Sequence, residues 1–291
     1  MRAAPGAPTR RAELAAAVDR LSAAGIPSAR VDAEWLLAAV LGVGRVEARL
    51  DLDRALPAAV AARYEAAVGR RARREPLQQI VGWEAFRGLR VRLTADVLVP
   101  RPETETLVEW ALELLPPPRP GVRLLALDLG TGSGVIACAL AAERRDVDVV
   151  AIDMSRAAAA VARENARQLG LAEHVTVVVG DLSDPLGRGC ADLLVSNPPY
   201  LPSAILSGLE PEVGAHEPRL ALDGGGDGLR VIRRIVTSAR EVLRPSAPLL
   251  LETAGGSQAG AVAGLLRAAG FTGVGVRADL AGVDRFVAGR A

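Results

Sequence analysis

Apolar positions along this chain fall into two rhythms. From Thr9 to Arg74 they recur at helical spacing. Leu14, Val18 and Leu21 share one face, and Gly25 is placed to end that helix. Ser28 is placed to cap a second helix carrying Trp35, Leu36, Val40 and Leu41, which Gly42 closes. Pro57 stands at the first turn of another helix, which runs through Tyr64 into Arg70, Arg71, Arg73 and Arg74. Residues 77–100 change character. Ile80-Val81, Phe86 and residues 89–93 read as extended, punctuated by Gly82 and Gly88, and predict a β-hairpin connector.

The second rhythm follows a helix over residues 104–115, stopped by Pro116-Pro117-Pro118. Apolar runs at 124–129, 147–152, 175–179 and 193–195 predict buried strands, with helices at 135–143 and 156–169 between them. A helix over 228–243, a strand over 249–252, a helix over 259–269 and two late strands complete the pattern. Strands alternating with helices predict a mostly parallel sheet covered on both faces, an α/β class.

Composition sharpens this picture. At 291 residues the chain is long enough for roughly two domains and a full core, and its 50% apolar content excludes a disordered chain. All 35 basic side chains are arginine, so Schiff-base chemistry on lysine is excluded. Against 34 acids the net charge is +1, short of the excess expected of a dedicated nucleic-acid binder. The charge is uneven: 13 arginines meet 9 acids up to Pro76, and 22 meet 25 beyond it. That basic stretch predicts a solvated helix end favoured by the helix dipole, with a docking face for an acidic or nucleic-acid-bound partner as the alternative. Cys138 and Cys190 are too few for a disulfide framework or a cysteine-rich metal site. Cys138 reads as a small core residue, while Cys190 lies in a glycine-rich turn. Met1 to Arg11 lacks the apolar region of a signal peptide, and no apolar run reaches bilayer length. The expected compartment is the cytoplasm.

Two loops carry the candidate chemistry. Asp128-Leu-Gly130-Thr131-Gly132-Ser133-Gly134 follows the first strand of the alternating region and opens a helix. Its glycines permit close backbone approach to a ligand, and equally a tight turn; the G-x-G-x-G spacing differs from the dinucleotide fingerprint. Asp153 ends the next strand, where an acid can accept both hydroxyls of a ribose, or cap the helix that follows. Asp181-Leu182 follows the third strand, where side chains could flank an adenine. Three strand ends aimed at one adenosine predict a nucleoside ligand at the carboxyl ends of the strands.

The fourth strand runs into Asn197-Pro198-Pro199-Tyr200. Two prolines fix the backbone, remove its donors and leave carbonyls as acceptors. A planar NH2 group could donate to the Asn197 side-chain oxygen and to the Pro198 carbonyl, with the Tyr200 ring stacked on it. An amide nitrogen needs such holding, because its lone pair is delocalised and must be aimed at an electrophile. The bland alternative is a proline-stiffened loop that merely ends a strand.

In this order the glycine loop, Asp153 and Asn197-Pro-Pro-Tyr200 resemble class I S-adenosylmethionine-dependent methyltransferases that act on planar NH2 groups. Pro76-Leu77, Val99-Pro-Arg101-Pro-Glu103-Thr104, Glu217-Pro218, Asp227-Gly228-Leu229, Glu252, Gln258 and Asp279-Leu-Ala-Gly-Val-Asp284-Arg285 extend the match. Over nearly the whole chain the sequence is similar to the bacterial peptide chain release factor glutamine N5-methyltransferase family. The resemblance implies a Rossmann-like, mostly parallel seven-stranded sheet with a small N-terminal helical domain. It implies residues 1–75 as a helical substrate-docking domain, 76–100 as a β-hairpin connector and 101–291 as the methyltransferase domain. It implies S-adenosyl-L-methionine as methyl donor and S-adenosyl-L-homocysteine as product. Gly130, Thr131, Gly132, Ser133 and Gly134 would wrap the methionine part, Asp153 the ribose and Leu182 the adenine, with Asn197 also beside the cofactor. Asn197, Pro198, Pro199 and Tyr200 would bind the substrate glutamine, with Asn197, Pro198 and Tyr200 carrying catalysis.

The implied substrate is the glutamine of the Gly-Gly-Gln loop of class I release factors, with no direct nucleic acid, no membrane and no metal, and the enzyme acting as a monomer. Alternatives are a glutamine N5-methyltransferase of a large-subunit ribosomal protein, or an adenine-N6 DNA methyltransferase, which near-neutral charge and few aromatics disfavour. A cofactor-binding release-factor partner without turnover is a further alternative, disfavoured by the intact Asn197 and Tyr200. Two departures stand out. Leu182 replaces an aromatic that relatives can carry, and Pro245-Ser246-Ala247 replaces a Pro-Gly-Gly turn.

Overall fold

The structure, a computed structural model, describes residues 8–291. The reading of a start without an apolar leader lies largely outside the described residues.

The described chain divides into two compact units: residues up to Trp83 together with Glu210–His216, and Glu84–Leu209 together with Glu217–Ala291. In the first unit lie α1 (Arg10–Ala23), α2 (Ala29–Leu41), α3 (Arg45–Ala48), α4 (Ala58–Ala72) and α5 (Leu77–Val81). Leu14, Leu21, Leu36, Leu37, Tyr64 and Val68 form its core, and the Tyr64 hydroxyl donates to the Ala33 carbonyl at 3.0 Å. Gly42 ends α2 in the left-handed conformation, as expected. Ser28 occupies the cap position of α2, but its side chain makes no capping hydrogen bond. Ile80-Val81, expected to be extended, lie in the helical turn α5. Pro76 precedes the turn and Gly82 closes it at φ +85°, and five residues are too few to display a helical period.

The arginine-rich end of α4 also departs from the expected solvated helix end. Arg71 is buried: its Nε donates to Asp32 Oδ2 at 2.7 Å and its Nη1 to Glu212 Oε1 at 2.9 Å. Arg74 Nη2 holds the other Glu212 oxygen at 2.7 Å, and Arg70 Nε donates to Glu75 at 2.8 Å. These charges are committed within the unit. They explain how Glu210–His216, far along the chain from α4, comes to belong there. Removing one member of such a buried set would leave an uncompensated charge.

The second unit contains a hairpin, β1 (Trp83–Phe86, whose first residue the division leaves in the first unit) and β2 (Leu89–Arg92), then α6 (Thr104–Leu114). It continues with β3 (Leu124–Leu129), α7 (Val135–Glu143), β4 (Val147–Asp153), α8 (Arg156–Gln168), β5 (Val175–Val179) and β6 (Leu193–Ser196). A 3-10 turn (Ser203–Gly208) and α10 (Arg219–Leu222) follow, on either side of α9 (Pro211–Gly214) of the first unit. The chain ends in α11 (Arg230–Val242), β7 (Pro248–Glu252), α12 (Ser257–Ala268), β8 (Thr272–Ala278) and β9 (Asp284–Arg290).

Seven strands form one sheet in the order β5-β4-β3-β6-β7-β9-β8. β3 to β7 run parallel, and β9 pairs antiparallel with both neighbours. β6 and β7 are buried along their whole length, so they read as apolar runs up to their last residues, Ser196 and Glu252. Leu127, Leu129 and Ile152 face α11 and α12, while Ala126, Val149 and Leu193 face α6 and α7. α7, rich in alanine, is buried through most of its length, and small side chains let it lie close to the sheet. Ser246 adopts φ +64°, the left-handed region that favours glycine, in the turn where the family resemblance leads one to expect glycine.

From β3 the chain winds outward through β4 to β5, then returns to place β6 on the other side of β3. The switch point between β3 and β6 opens a crevice at the carboxyl ends of these strands.

Candidate active site

At that switch point lies a cavity of about 290 Å³. Gly130 and Gly132 from the loop after β3, Asp153 at the end of β4, Leu182 after β5 and Asn197, Pro198 and Pro199 after β6 all line it. Val97, Leu129, Ile152, Val231 and Ile235 supply apolar wall.

The glycine loop is shaped by positive φ. Gly130, Gly132 and Gly134 stand at +71°, +55° and +82°, where a side chain would be strained. A Cβ on Gly130 or Gly132 would meet nothing within 4 Å, so bare backbone faces open space there. Gly134 is different, since its Cβ would come within 3.0 Å of Ala162 Cβ; it is a glycine so that α7 can start against α8. Thr131 and Ser133 are buried and do not line the cavity. Thr131 Oγ1 donates to Asp128 Oδ2 at 2.6 Å, which also accepts the Ala137 N–H at 3.2 Å. Asp128 Oδ1 is buried without a hydrogen-bond partner among the described residues. Burial pushes the Asp128 carboxyl up to about 7, against the pull of the Thr131 and Ala137 hydrogen bonds.

Asp153 takes the helix-capping role, one of the two considered for it, and also ties down the glycine loop. Its Oδ1 accepts the Ser155 N–H at 2.8 Å at the start of α8, and its Oδ2 accepts the Gly132 N–H at 2.9 Å. Each oxygen keeps a lone pair for a further donor. Leu182 holds φ +51°, an uncommon state for leucine, so this turn is shaped against the residue's own preference.

Tyr200 does not line the cavity; it packs partly buried against the α11–α12 side of the core. Its carbonyl accepts from Gln258 Nε2 at 2.9 Å, and its hydroxyl lies 3.5 Å from Glu252 Oε1. Burial and the Glu252 charge both raise the Tyr200 phenol. Asn197 Nδ2 donates to Thr104 Oγ1 at 3.2 Å, and Thr104 Oγ1 donates to Glu252 Oε2 at 2.8 Å. Thr104 and Glu252 are both almost fully buried. Nearby, Glu217 accepts the Val99 N–H at 3.2 Å and an Arg101 N–H at 2.6 Å, and burial raises its carboxyl despite that arginine. Sequence reasoning noted Arg101, Thr104, Glu217, Glu252 and Gln258 as part of a family pattern but gave them no role. Their separations along the chain, 148 residues between Thr104 and Glu252, offer no local signal.

This sheet order, with a glycine loop after its first strand and a cavity at the switch point, defines a class I methyltransferase fold. A methyltransferase from Pyrococcus furiosus shares that fold with a TM-score of 0.53 and 16% identity, over 76% of this chain and 98% of that one. Residues 13–82 match the PrmC N-terminal domain and residues 112–205 the methyltransferase small domain. The release factor glutamine methyltransferase of Cereibacter sphaeroides is 47% identical over 95% of this chain and 96% of its own length. That of Geobacter sulfurreducens is 44% identical over 93% and 92%. The chain belongs to the release factor glutamine methyltransferase family.

Proposed function

We propose that this chain methylates the side-chain amide nitrogen of the glutamine in the Gly-Gly-Gln segment of class I peptide chain release factors, with S-adenosylmethionine as donor. The observation that carries the reading is the meeting of two unlike loops in one cavity. One presents bare glycine backbone beside a carboxylate; the other presents acceptors on a proline-stiffened frame.

The residues fit the cofactor. Gly130 and Gly132 leave room for close approach, Asp153 keeps lone pairs for ribose hydroxyls, and the volume lies at the lower end of that common for small-molecule sites, about 300 Å³. In this reading Gly130 and Gly132 face the methionine part, with Thr131, Ser133 and Gly134 shaping the loop behind them, Asp153 holds the ribose and Leu182 the adenine, with Asn197 alongside. When bound, the cofactor supplies an electrophilic methyl group on a positively charged sulfur.

Asn197 Oδ1 and the Pro198 carbonyl accept the two hydrogens of the glutamine amide, aiming its nitrogen and raising electron density on it. Tyr200, behind the cavity wall with its hydroxyl beside Glu252 and its carbonyl held by Gln258, anchors the end of the loop that presents these acceptors. The apolar wall keeps water from the reacting groups. In this reading the enzyme acts as a monomer. Residues 1–75 serve to dock the protein substrate, residues 76–100 connect, and 101–291 catalyse. A translation factor as substrate places the enzyme in the cytoplasm.

Mass spectrometry of release factor incubated with enzyme and cofactor tests the assignment. The Gly-Gly-Gln peptide is expected to gain one methyl in place of one hydrogen, and Asn197→Ala to lower kcat on the order of 100-fold or more. An unmodified peptide with the wild-type enzyme removes the substrate assignment. A normal rate in Asn197→Ala removes the site assignment.

A further inference from the structure

We propose that Thr104 and Glu252 are positioning residues that decide which end of the Asn197 amide meets the substrate. The proposal rests on the function above and deepens it.

An asparagine amide has two ends of similar shape and opposite hydrogen-bonding sense: an oxygen that accepts and an NH2 that donates. Only the oxygen suits a substrate NH2. Nothing in the Asn-Pro-Pro-Tyr loop itself chooses between the ends, so the choice must come from what touches the far side of the amide. That contact is Thr104 Oγ1, 3.2 Å from Asn197 Nδ2. A threonine hydroxyl has one hydrogen to give. Here it goes to Glu252 Oε2 at 2.8 Å, in a buried bond to a group that when ionised can only accept. Thr104 Oγ1 is then left with lone pairs alone, and the Asn197 end that faces it must be the NH2. The carbonyl end is thereby turned to the substrate. Thus a carboxylate with no place on the cavity wall sets the polarity of a residue that has one.

The relay reverses if Glu252 carries a proton. A neutral carboxyl can donate to Thr104 Oγ1, which frees the threonine hydrogen to point at Asn197. The carbonyl end of the amide is then drawn toward Thr104, and an NH2 faces the substrate NH2, donor against donor. The groups facing Glu252 are Thr104 from α6, Arg285 from β9, Glu103 at the start of α6 and Tyr200 after β6. Burial pushes Glu252 up to about 7 and Glu103 adds to this, while Thr104, Arg285 and Tyr200 oppose it. The active arrangement needs the ionised form, so turnover is lost as pH falls through that value.

Three variants and two readouts test this. Thr104→Val keeps the shape and removes the relay, and is expected to lower kcat on the order of 10- to 100-fold with KM for release factor and affinity for S-adenosylhomocysteine nearly unchanged. Thr104→Ser, which restores the hydroxyl, recovers most of that loss. Glu252→Gln removes the acid limb of the kcat–pH profile. The second readout needs no substrate: the chain has only two asparagines, Asn165 and Asn197, so selective 15N labelling of asparagine gives two side-chain NH2 pairs. The Asn165 pair is held by the Arg92 and Ser133 carbonyls and stays fixed with pH. The Asn197 pair is expected to shift near pH 7 in the wild type and to stop doing so in Glu252→Gln and Thr104→Val. Wild-type kcat in Thr104→Val, or an Asn197 pair in the wild type that ignores pH, overturns the proposal. If the wild type leaves release factor unmethylated, the functional reading falls instead, and the amide signals still decide the relay.

Discussion

β3 and β6 are neighbours in the sheet, paired at Asp128 and Val195, yet the loops they lead into obtain their shapes by opposite means. The glycine loop bends where side chains are missing: its turns need positive φ, and its backbone N–H groups are retained, one of them donating to Asp153. The proline loop is straightened by rings, loses two N–H groups and keeps carbonyls. One loop is therefore rich in donors and the other in acceptors. The difference matches the two ligands proposed for them, a cofactor with hydroxyl and carboxylate groups and a substrate amide with two hydrogens to give. Each loop also leans on a buried carboxylate close behind it, Asp128 in one case and Glu252 in the other.

Gly228→Ala should disturb the proline loop most while sparing the glycine loop. An added Cβ would stand 2.3 Å from the Tyr200 carbonyl oxygen and 2.7 Å from Gln258 Nε2, at a residue with φ +77°. Both the clash and the strain act on the contact that holds the loop's end, where Gln258 donates to Tyr200 at 2.9 Å. A stability loss of about 3 kcal/mol is expected from overpacking with left-handed strain. Chemical denaturation measures the loss, and turnover should fall with affinity for S-adenosylhomocysteine kept. Equal loss of affinity would mean that the two loops are not separable.

The two loops were not equally legible in the sequence. The glycine loop and Asp153 are local signals: a motif, a strand end and a helix start within about 25 residues, the scale of one βαβ unit. The strands around them showed because parallel strands buried on both faces are nearly continuous apolar runs, interrupted here only by residues such as Asp128 and Glu252 near the carboxyl ends. The proline loop showed its acceptors but not its support, because Thr104, Glu252 and Gln258 reach it from three elements distant in sequence. Ile80-Val81 were misread as extended because α5 has a single turn, and the short helices between 203 and 222 have no period to read. The arginines of α4 looked solvated because their partners include Asp32 and Glu212, 39 and 141 residues from Arg71.

Gly132→Ala probes the other loop with a smaller effect. Nothing lies within 4 Å of the added Cβ, so the substitution costs backbone strain alone, at φ +55°. If the free variant relaxes from this conformation, returning it on binding costs roughly 1–2 kcal/mol, about a tenfold loss of cofactor affinity. Isothermal titration with S-adenosylhomocysteine measures it, and kcat at saturating cofactor should hardly change. A fall in kcat with affinity intact would place the strain in the transition state rather than in binding, and would break the division of labour between the loops.

Asp128→Asn should affect turnover least and still distinguish the two supporting carboxylates. Glu252 has Arg285 close by to offset its burial, whereas the charge that influences Asp128 is the like charge of Asp153. Asparagine can keep one oxygen for the Thr131 hydroxyl and the Ala137 N–H, and puts an uncharged NH2 where Oδ1 has no partner. The folded-state value, about 7, lies above the ordinary 3.8. Between those limits the folded protein binds a proton that the unfolded chain has released. Stability contributed by this residue is therefore greatest at the acid end, falls as pH rises through the window, and levels off above it. The slope cannot exceed about 1.4 kcal/mol per pH unit. Denaturation of both proteins at pH 5 and pH 8 isolates the term: the wild type should lose stability relative to Asp128→Asn between them. Equal pH dependence in the two proteins would mean that Asp128 stays charged when buried, held by its two hydrogen bonds alone. The glycine loop would then rest on a fixed anion, and only the proline loop on a carboxyl that titrates.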